Sequence, residues 1–230
     1  MTLNRLVVAT GNRGKIREIS SLLARLPVEV VPVGSLVAGF DPEETGATFL
    51  ENARLKAMAA FHATGLPSLA DDSGLCVVGL GLEPGVRSSR YAGEGKSDAD
   101  RVRFLLSRME KLTGAERAAW FACTLYGVIP AAWVPGVASA GPDPASTGVS
   151  LEPGPPGFLG VVCVGRLPGQ IGFDPRGTDG FGYDPVFHPD DDPTRTLAQY
   201  GLDEKNRISH RGIAFRTFSD WLSRNSPGSY

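Results

Sequence analysis

A chain of 230 residues that is 42% hydrophobic and 21% charged can bury a sizeable core as one domain or two closely packed lobes, which excludes a disordered protein. Its net charge of −2 gives no long-range attraction to nucleic acid, so a bound polyanion must be small and met by local cations; a nucleotide fits better than a duplex. Cys76, Cys123 and Cys163 are widely spaced in apolar stretches and read as reduced core thiols of a cytosolic protein, not disulfides or zinc ligands. No basic segment followed by a long apolar run opens the chain, so a cytoplasmic location without a secretory signal is expected.

Residues 6–9 predict a short apolar strand running into Thr10-Gly11-Asn12-Arg13-Gly14-Lys15. Ile16, Ile19, Leu22, Leu23 and Leu26 recur at helical spacing and predict a helix over 15–26 that starts at Gly14 or Lys15. Its first N–H groups and positive dipole end face whatever lies above the strand; Gly11 and Gly14 allow close approach, and Arg13 and Lys15 add charge. Two readings fit this segment, a phosphate-binding turn and a generic basic turn. It is not the P-loop, which needs four residues between its glycines and Ser or Thr after the Lys, where Ile16 stands. A strand follows at 28–31. Glu43-Glu44-Thr45-Gly46 then precedes a helix over 49–64, on which Asn52 and Lys56 share a face, so that an amide and a cation can reach one site. A solvated charged face is the alternative.

Strands are predicted at 68–70 and 75–78, with Asp71-Asp72-Ser73-Gly74 between them. Neighbours in an extended strand face opposite sides, so only one of the two carboxylates can enter a given cleft. One can hold Mg²⁺ or take a proton from water while the other anchors nearby groups; an ordinary turn is the alternative. The glycines at Gly79, Gly81 and Gly85 miss the dinucleotide spacing, and Pro84 makes that segment a loop. A helix over 98–112 carries Val102, Leu105, Leu106 and Met109 behind an N-cap at Ser97 or Asp98. The charge-free stretch over 118–142 is broken by Gly127, Pro130, Pro135, Gly136 and Gly141, so no membrane span is expected; it predicts a buried strand at 120–128 and then a Pro/Gly-rich surface excursion over 129–160. Strands follow at 160–164 and 184–187.

Between them lies Gly177-Thr178-Asp179-Gly180-Phe181-Gly182-Tyr183-Asp184-Pro185, where flanking glycines leave the Phe181 ring able to stack on a planar base. Tyr183 is more usual as a hairpin core aromatic. Lys205 and then Ser209-His210-Arg211 precede or open a last helix over 210–222 that buries Ile213, Ala214, Phe218, Trp221 and Leu222. Ser209 suits an N-cap, whereas His210 and Arg211 offer a ring and a planar fork for a keto oxygen or phosphate. Residues 225–230 read as a frayed tail. The mixture predicts an α/β fold with flanking helices and a mixed sheet.

Taken in order, these strings resemble the Ham1-like family of noncanonical purine nucleoside triphosphate pyrophosphatases, also called inosine or xanthosine triphosphate pyrophosphatases. The carriers are residues 10–15 with Glu18, Glu43-Glu44-Thr45-Gly46, Glu51-Asn52-Ala53 with Lys56, Ala70-Asp71-Asp72-Ser73-Gly74-Leu75, Ser89-Arg90-Tyr91-Ala92-Gly93, Gly180-Phe181-Gly182-Tyr183-Asp184-Pro185, and Glu204-Lys205-Asn206 with Ser209-His210-Arg211. The resemblance spans nearly the whole chain and departs from it at 129–160. It implies an elongated α/β fold over 1–224 with two lobes around a central nucleotide-binding cleft, a homodimer, and Mg²⁺ as cofactor. It also implies that Thr10, Gly11, Asn12, Arg13, Gly14 and Lys15 hold the triphosphate with Lys56 and Asn52. Asp72 would be the base with a metal role, Glu43 or Glu44 would complete the metal site, and Ser73 would contact substrate. Phe181, Gly182, Tyr183, Asp184, Lys205, His210 and Arg211 would hold base and sugar.

The reaction so implied is attack of water on the α-phosphorus of ITP, dITP or XTP, giving the nucleoside monophosphate and pyrophosphate, with Asp72, Lys15 and Lys56 as the catalytic set. The rival readings are a nucleotide phosphohydrolase that releases orthophosphate and a nucleotide-binding module without catalysis.

Overall fold

The computed structural model describes residues 5–135, 137 and 148–226. Residues 136 and 138–147 of the excursion expected over 129–160, and the tail from 227, therefore lie outside the described residues. The strands are β1 (Arg5–Val8), β2 (Glu29–Pro32), β3 (Ser68–Val77), β4 (Ala118–Pro130), β5 (Val149–Pro153), β6 (Phe158–Ile171) and β7 (Phe187–Pro189). The α-helices are α1 (Arg13–Leu23), α2 (Phe49–Thr64), α3 (Asp98–Arg108), α4 (Leu202–Ile208) and α5 (His210–Asn225). The sheet is open and mixed, in the order β2-β1-β3-β4-β6-β5 with β7 also on β6. β1 is parallel to β2 and β3, whereas β6 is antiparallel to β5 and β7. None of the described helices is long and apolar enough to cross a membrane.

The chain divides into two compact units, and β3, β4, β6 and α5 contribute residues to both. In the first unit (1–72, 124–164 and 212–230), α2 lays Ala53, Ala57 and Ala60 against Val7, Ala9, Ala70 and Val128. Spacing of three and four residues puts these alanines on one helix face, and their small side chains let the helix lie close to the strands. Thr48 and Glu51 form a capping box at the start of α2, and Gly65 closes it in the left-handed conformation (φ 67°). In the second unit (73–123 and 165–211), α3 and its C-cap residue Met109 bury Val102, Leu105 and Met109 against Leu75, Val77, Phe121 and Phe187. All three cysteines are buried, and burial pushes the thiol of Cys163 up to about 12.

The observed elements depart from the expected ones in five places. The strands at 68–70 and 75–78 are one continuous β3, because pairing neighbours carry the backbone through the Asp-Asp-Ser-Gly segment that resembles a turn. Within the excursion, Val149–Pro153 pairs with β6 as β5. The strand at 184–187 is instead a 3₁₀ turn, Asp184–Val186, followed by β7, since Pro185 fixes φ and cannot donate to a ladder. Helix α4 lies where no helix was expected. β6 also outruns the expected 160–164, because its second half gains β7 as a partner.

Gly169 of β6 faces Pro189 of β7, and a Cβ there would run into the carbonyl oxygen of His188 and the ring of Phe187. Gly169→Ala is expected to cost about 1–3 kcal/mol, as overpacking does. Thermal denaturation should register this as a Tm lowered by several degrees, and an unchanged Tm would show that β7 can move aside.

Candidate active site

In the first unit the chemistry converges on Lys56. Its position on α2, one turn after Asn52, aims both side chains at Asp72 in the middle of β3. The Lys56 Nζ lies 2.7 Å from Glu44 Oε1 and 3.0 Å from Asp72 Oδ1. Asn52 is fully buried; its Nδ2 donates to Asp72 Oδ2 at 3.3 Å and its Oδ1 accepts from the Gly46 N–H at 2.8 Å. One amide thus fixes both the carboxylate and the loop that carries Glu44. Glu43, by contrast, is exposed.

Lys56 and Asp72 are 8% and 5% exposed. Burial pulls the Lys56 ammonium down, but Asp72, Asp71 and Glu44 together outweigh it and hold the group charged, above its ordinary range. For Asp72 burial dominates and raises the carboxyl above the usual range, with Lys56 and Lys15 only partly offsetting it. A buried carboxylate shifted toward neutrality beside a cation is suited to accepting a proton.

The adjacent Asp71 takes a different partner, pairing with Lys15 Nζ at 3.0 Å. Lys15 belongs to the turn that opens α1, where Asn12 is the N-cap and its Oδ1 accepts the Lys15 N–H at 3.1 Å. Thr10 Oγ1 in turn accepts the Asn12 N–H at 3.2 Å. The side chains of Thr10 and Asn12 therefore shape the turn, while the amides of Arg13 and Gly14 have no intrahelical partner and suit an anion.

Among the described residues, no group of three or more His, Cys, Asp or Glu is arranged to hold a metal ion. Glu44 and Asp72 nonetheless fit a hard cation such as Mg²⁺, which commonly takes one or two protein carboxylates and completes its shell with water and substrate phosphates.

In the second unit, cations gather at Phe181. The Lys205 Nζ lies 4.7 Å and the Arg211 Cζ 5.5 Å from its ring centroid. Lys205 also pairs with Asp184 at 2.6 Å, and Arg211 donates from Nη2 to Ser73 Oγ at 2.7 Å. His210 stacks on Phe121, ring centroids 4.7 Å apart and planes 11° apart. Asp184 shapes the turn as well, accepting the Phe181 N–H at 2.8 Å. A Cβ on Gly180, which sits at φ 77°, would collide with that carboxylate. Tyr183 is a core residue whose hydroxyl donates to the Ser88 carbonyl at 2.9 Å, so its side chain holds structure. Sequence reasoning missed Asp98, which accepts the Gly182 N–H across 84 residues. No local pattern could have revealed a contact at that separation.

The sequence profile of the Ham1 family matches residues 6–221. The chain belongs to the Ham1 family. It is 40% identical over 221 residues to the dITP/XTP pyrophosphatase of Escherichia coli (strain K12), covering 96% of this chain and 98% of that protein. It is 42% identical over 225 residues to the dITP/XTP pyrophosphatase of Bifidobacterium animalis subsp. lactis (strain AD011), covering 92% and 93%. Its fold is similar to that of a HAM1 protein from Coxiella burnetii (TM-score 0.77, 36% identity, 96% of this chain and 100% of that one). The Staphylococcus aureus Ham1 protein is similar at a TM-score of 0.74, with 35% identity and coverage of 96% and 99%.

Lys205 and Asp184 are each 3% exposed. Removing one member of such a pair strands the other charge, so Lys205→Met should lose about 3–5 kcal/mol in urea denaturation. Adding Asp184→Asn should recover part of that loss. If the double variant is no more stable than the single one, the ion pair does not govern this turn.

Proposed function

We propose that this chain hydrolyses the noncanonical purine nucleotides ITP, dITP and XTP to the nucleoside monophosphate and pyrophosphate. The observation that carries this reading is the buried Lys56 ammonium held between Glu44 and Asp72 in a chain about 40% identical to dITP/XTP pyrophosphatases. The anion-suited turn over 10–15 would take the triphosphate, and the Phe181, Lys205, His210 and Arg211 set would take the base. The homodimer and cytoplasmic location implied by the family resemblance belong to the same proposal.

In this mechanism water attacks the α-phosphorus and the bond to the bridging oxygen of the pyrophosphate breaks. Asp72 orients the water and accepts its proton; Asn52 keeps that carboxylate from rotating away. Lys15 and Lys56 offset the charge that grows on the departing pyrophosphate, and Asp71 keeps Lys15 in place. Glu44 and Asp72 would hold a divalent cation, Mg²⁺, which when bound neutralises phosphate charge and lowers the pKa of water.

Base choice follows from hydrogen bonding. A 6-keto oxygen accepts from a donor such as His210 or Arg211, whereas the 6-amino group of adenine would leave that donor buried and unmatched at a cost of about 1–3 kcal/mol. That is roughly tenfold to hundredfold discrimination. The 6-keto group of GTP means that exclusion of GTP needs a further element acting on its 2-amino group.

A nucleotide panel with Mg²⁺, scored for pyrophosphate, tests the reading: ITP, dITP and XTP should outpace ATP by at least about tenfold. Orthophosphate as the first product would instead support a phosphohydrolase, and nucleotide binding without turnover a passive module. Asp72→Asn should lose well over about tenfold in kcat with the fold intact.

The raised Asp72 carboxyl makes a second, signed prediction. The base is active when ionised, so kcat/KM should fall as pH drops, with its midpoint above the ordinary carboxylate value of about 4. Glu44→Gln removes a neighbouring negative charge that pushes Asp72 upward, so this limb should move to lower pH. A limb unmoved or displaced upward would place the titration elsewhere.

A further inference from the structure

We propose that Asp98 is a positioning residue for purine recognition, holding the Phe181 turn in its binding shape through the amide of Gly182. The inference rests on the reading of that turn as the base site and deepens it. Asp98 Oδ2 accepts the Gly182 N–H at 2.8 Å. Its other oxygen takes the guanidinium of Arg101, and Arg101 Nη1 also donates to the carbonyls of Ser89 at 3.0 Å and Lys96 at 2.6 Å. One residue further along the turn, the Tyr183 hydroxyl donates to the Ser88 carbonyl. Residues 182–183 are thereby tied to the start of α3 and to the 88–89 segment.

The other side of the turn is held separately. Asp184 accepts the Phe181 N–H at 2.8 Å and pairs with Lys205. Two successive amides, those of Phe181 and Gly182, are thus each captured by a different carboxylate. Gly182 sits at φ 63° and has no side chain, so only its backbone can be gripped.

Helix formation does not require Asp98 for this task. Ser97 already caps α3, accepting the Asp100 N–H at 3.1 Å, while Asp100 Oδ2 accepts the Ser97 N–H at 3.0 Å. The Asp98 carboxylate is therefore available to a partner outside its helix. Its effect on substrate is indirect. A turn released at Gly182 must be reordered each time a purine binds, which weakens affinity; the proton transfer at Asp72 is untouched. Loss of Asp98 should accordingly appear in KM far more than in kcat.

The test uses the full chain with ITP and Mg²⁺, in three variants. Asp98→Ala should raise KM about tenfold, the effect of one charge-assisted hydrogen bond, with kcat lowered less than about threefold. Asp98→Asn keeps an oxygen that can accept the same N–H and should recover most of the affinity. Asp100→Ala weakens the cap of the same helix without touching Gly182; it should lower Tm while KM stays within about twofold of the parent. The Gly182 amide, followed by hydrogen exchange, should lose protection in Asp98→Ala alone.

An unchanged KM in Asp98→Ala, an Asp98→Asn as impaired as Asp98→Ala, or unaltered Gly182 exchange would overturn the proposal. If the parent protein releases no pyrophosphate from any purine triphosphate, the functional reading fails. The clamp is then judged by Gly182 exchange and by IMP affinity, which Asp98→Ala should lower and Asp98→Asn restore.

Discussion

A buried ammonium is the constraint on which the first unit depends. Lys56 cannot stay charged at 8% exposure unless carboxylates meet it, and Glu44 at 2.7 Å and Asp72 at 3.0 Å do so from two different segments. Two unit charges 3 Å apart attract by on the order of 5 kcal/mol at an effective dielectric of 20. Desolvation takes back several kcal/mol for each ion. The cluster therefore comes close to break-even as a source of stability. What it secures is position: a cation and a carboxylate held in contact, with Asn52 pinning both Asp72 and the loop bearing Glu44.

The same economy of means runs along β3. Because consecutive strand residues face opposite ways, Asp71 and Asp72 reach different lysines, Lys15 of α1 and Lys56 of α2. Neighbouring acids therefore hold separate cations. In the second unit the theme returns with an aromatic added: Asp184 holds Lys205, and Lys205 and Arg211 both lie near the Phe181 ring. A ring with cations nearby is polarised as well as positioned.

What could be read from the sequence divides by the range of the interactions involved. Helix α2 is expected over its observed span because its amphipathic pattern is local to the segment. Asp72, Lys56 and Asn52 were also legible, one as an acid at a strand end and two as neighbours on a helix face. β3 was split because Asp71-Asp72-Ser73-Gly74 resembles a turn, and only pairing with other strands keeps it extended. β5 was hidden for a related reason, since a segment ending at Pro153 in Pro-rich surroundings becomes a strand only when β6 is beside it. α4 is seven residues, too short for its periodicity to register. The sequence offers Asp98 only as a candidate cap; its contact with Gly182 exists in three dimensions alone.

The two sets of groups differ in what a ligand must supply. On the proposed function, Lys56 is already met by Glu44 and Asp72, so an incoming triphosphate would compete with those carboxylates for the ammonium whatever base it carries. Around Phe181, the base site of the proposed function, the groups are fixed in advance: Arg211 is bonded to Ser73, His210 is stacked on Phe121, and the Phe181 amide is bonded to Asp184. Fixed donors reward only a base whose acceptors already match them, and a mismatched base cannot cheaply move them aside. Under the proposed function, grip on the phosphates would therefore be general while selection stays strict, and the strictness would depend on how firmly the Phe181 turn is held.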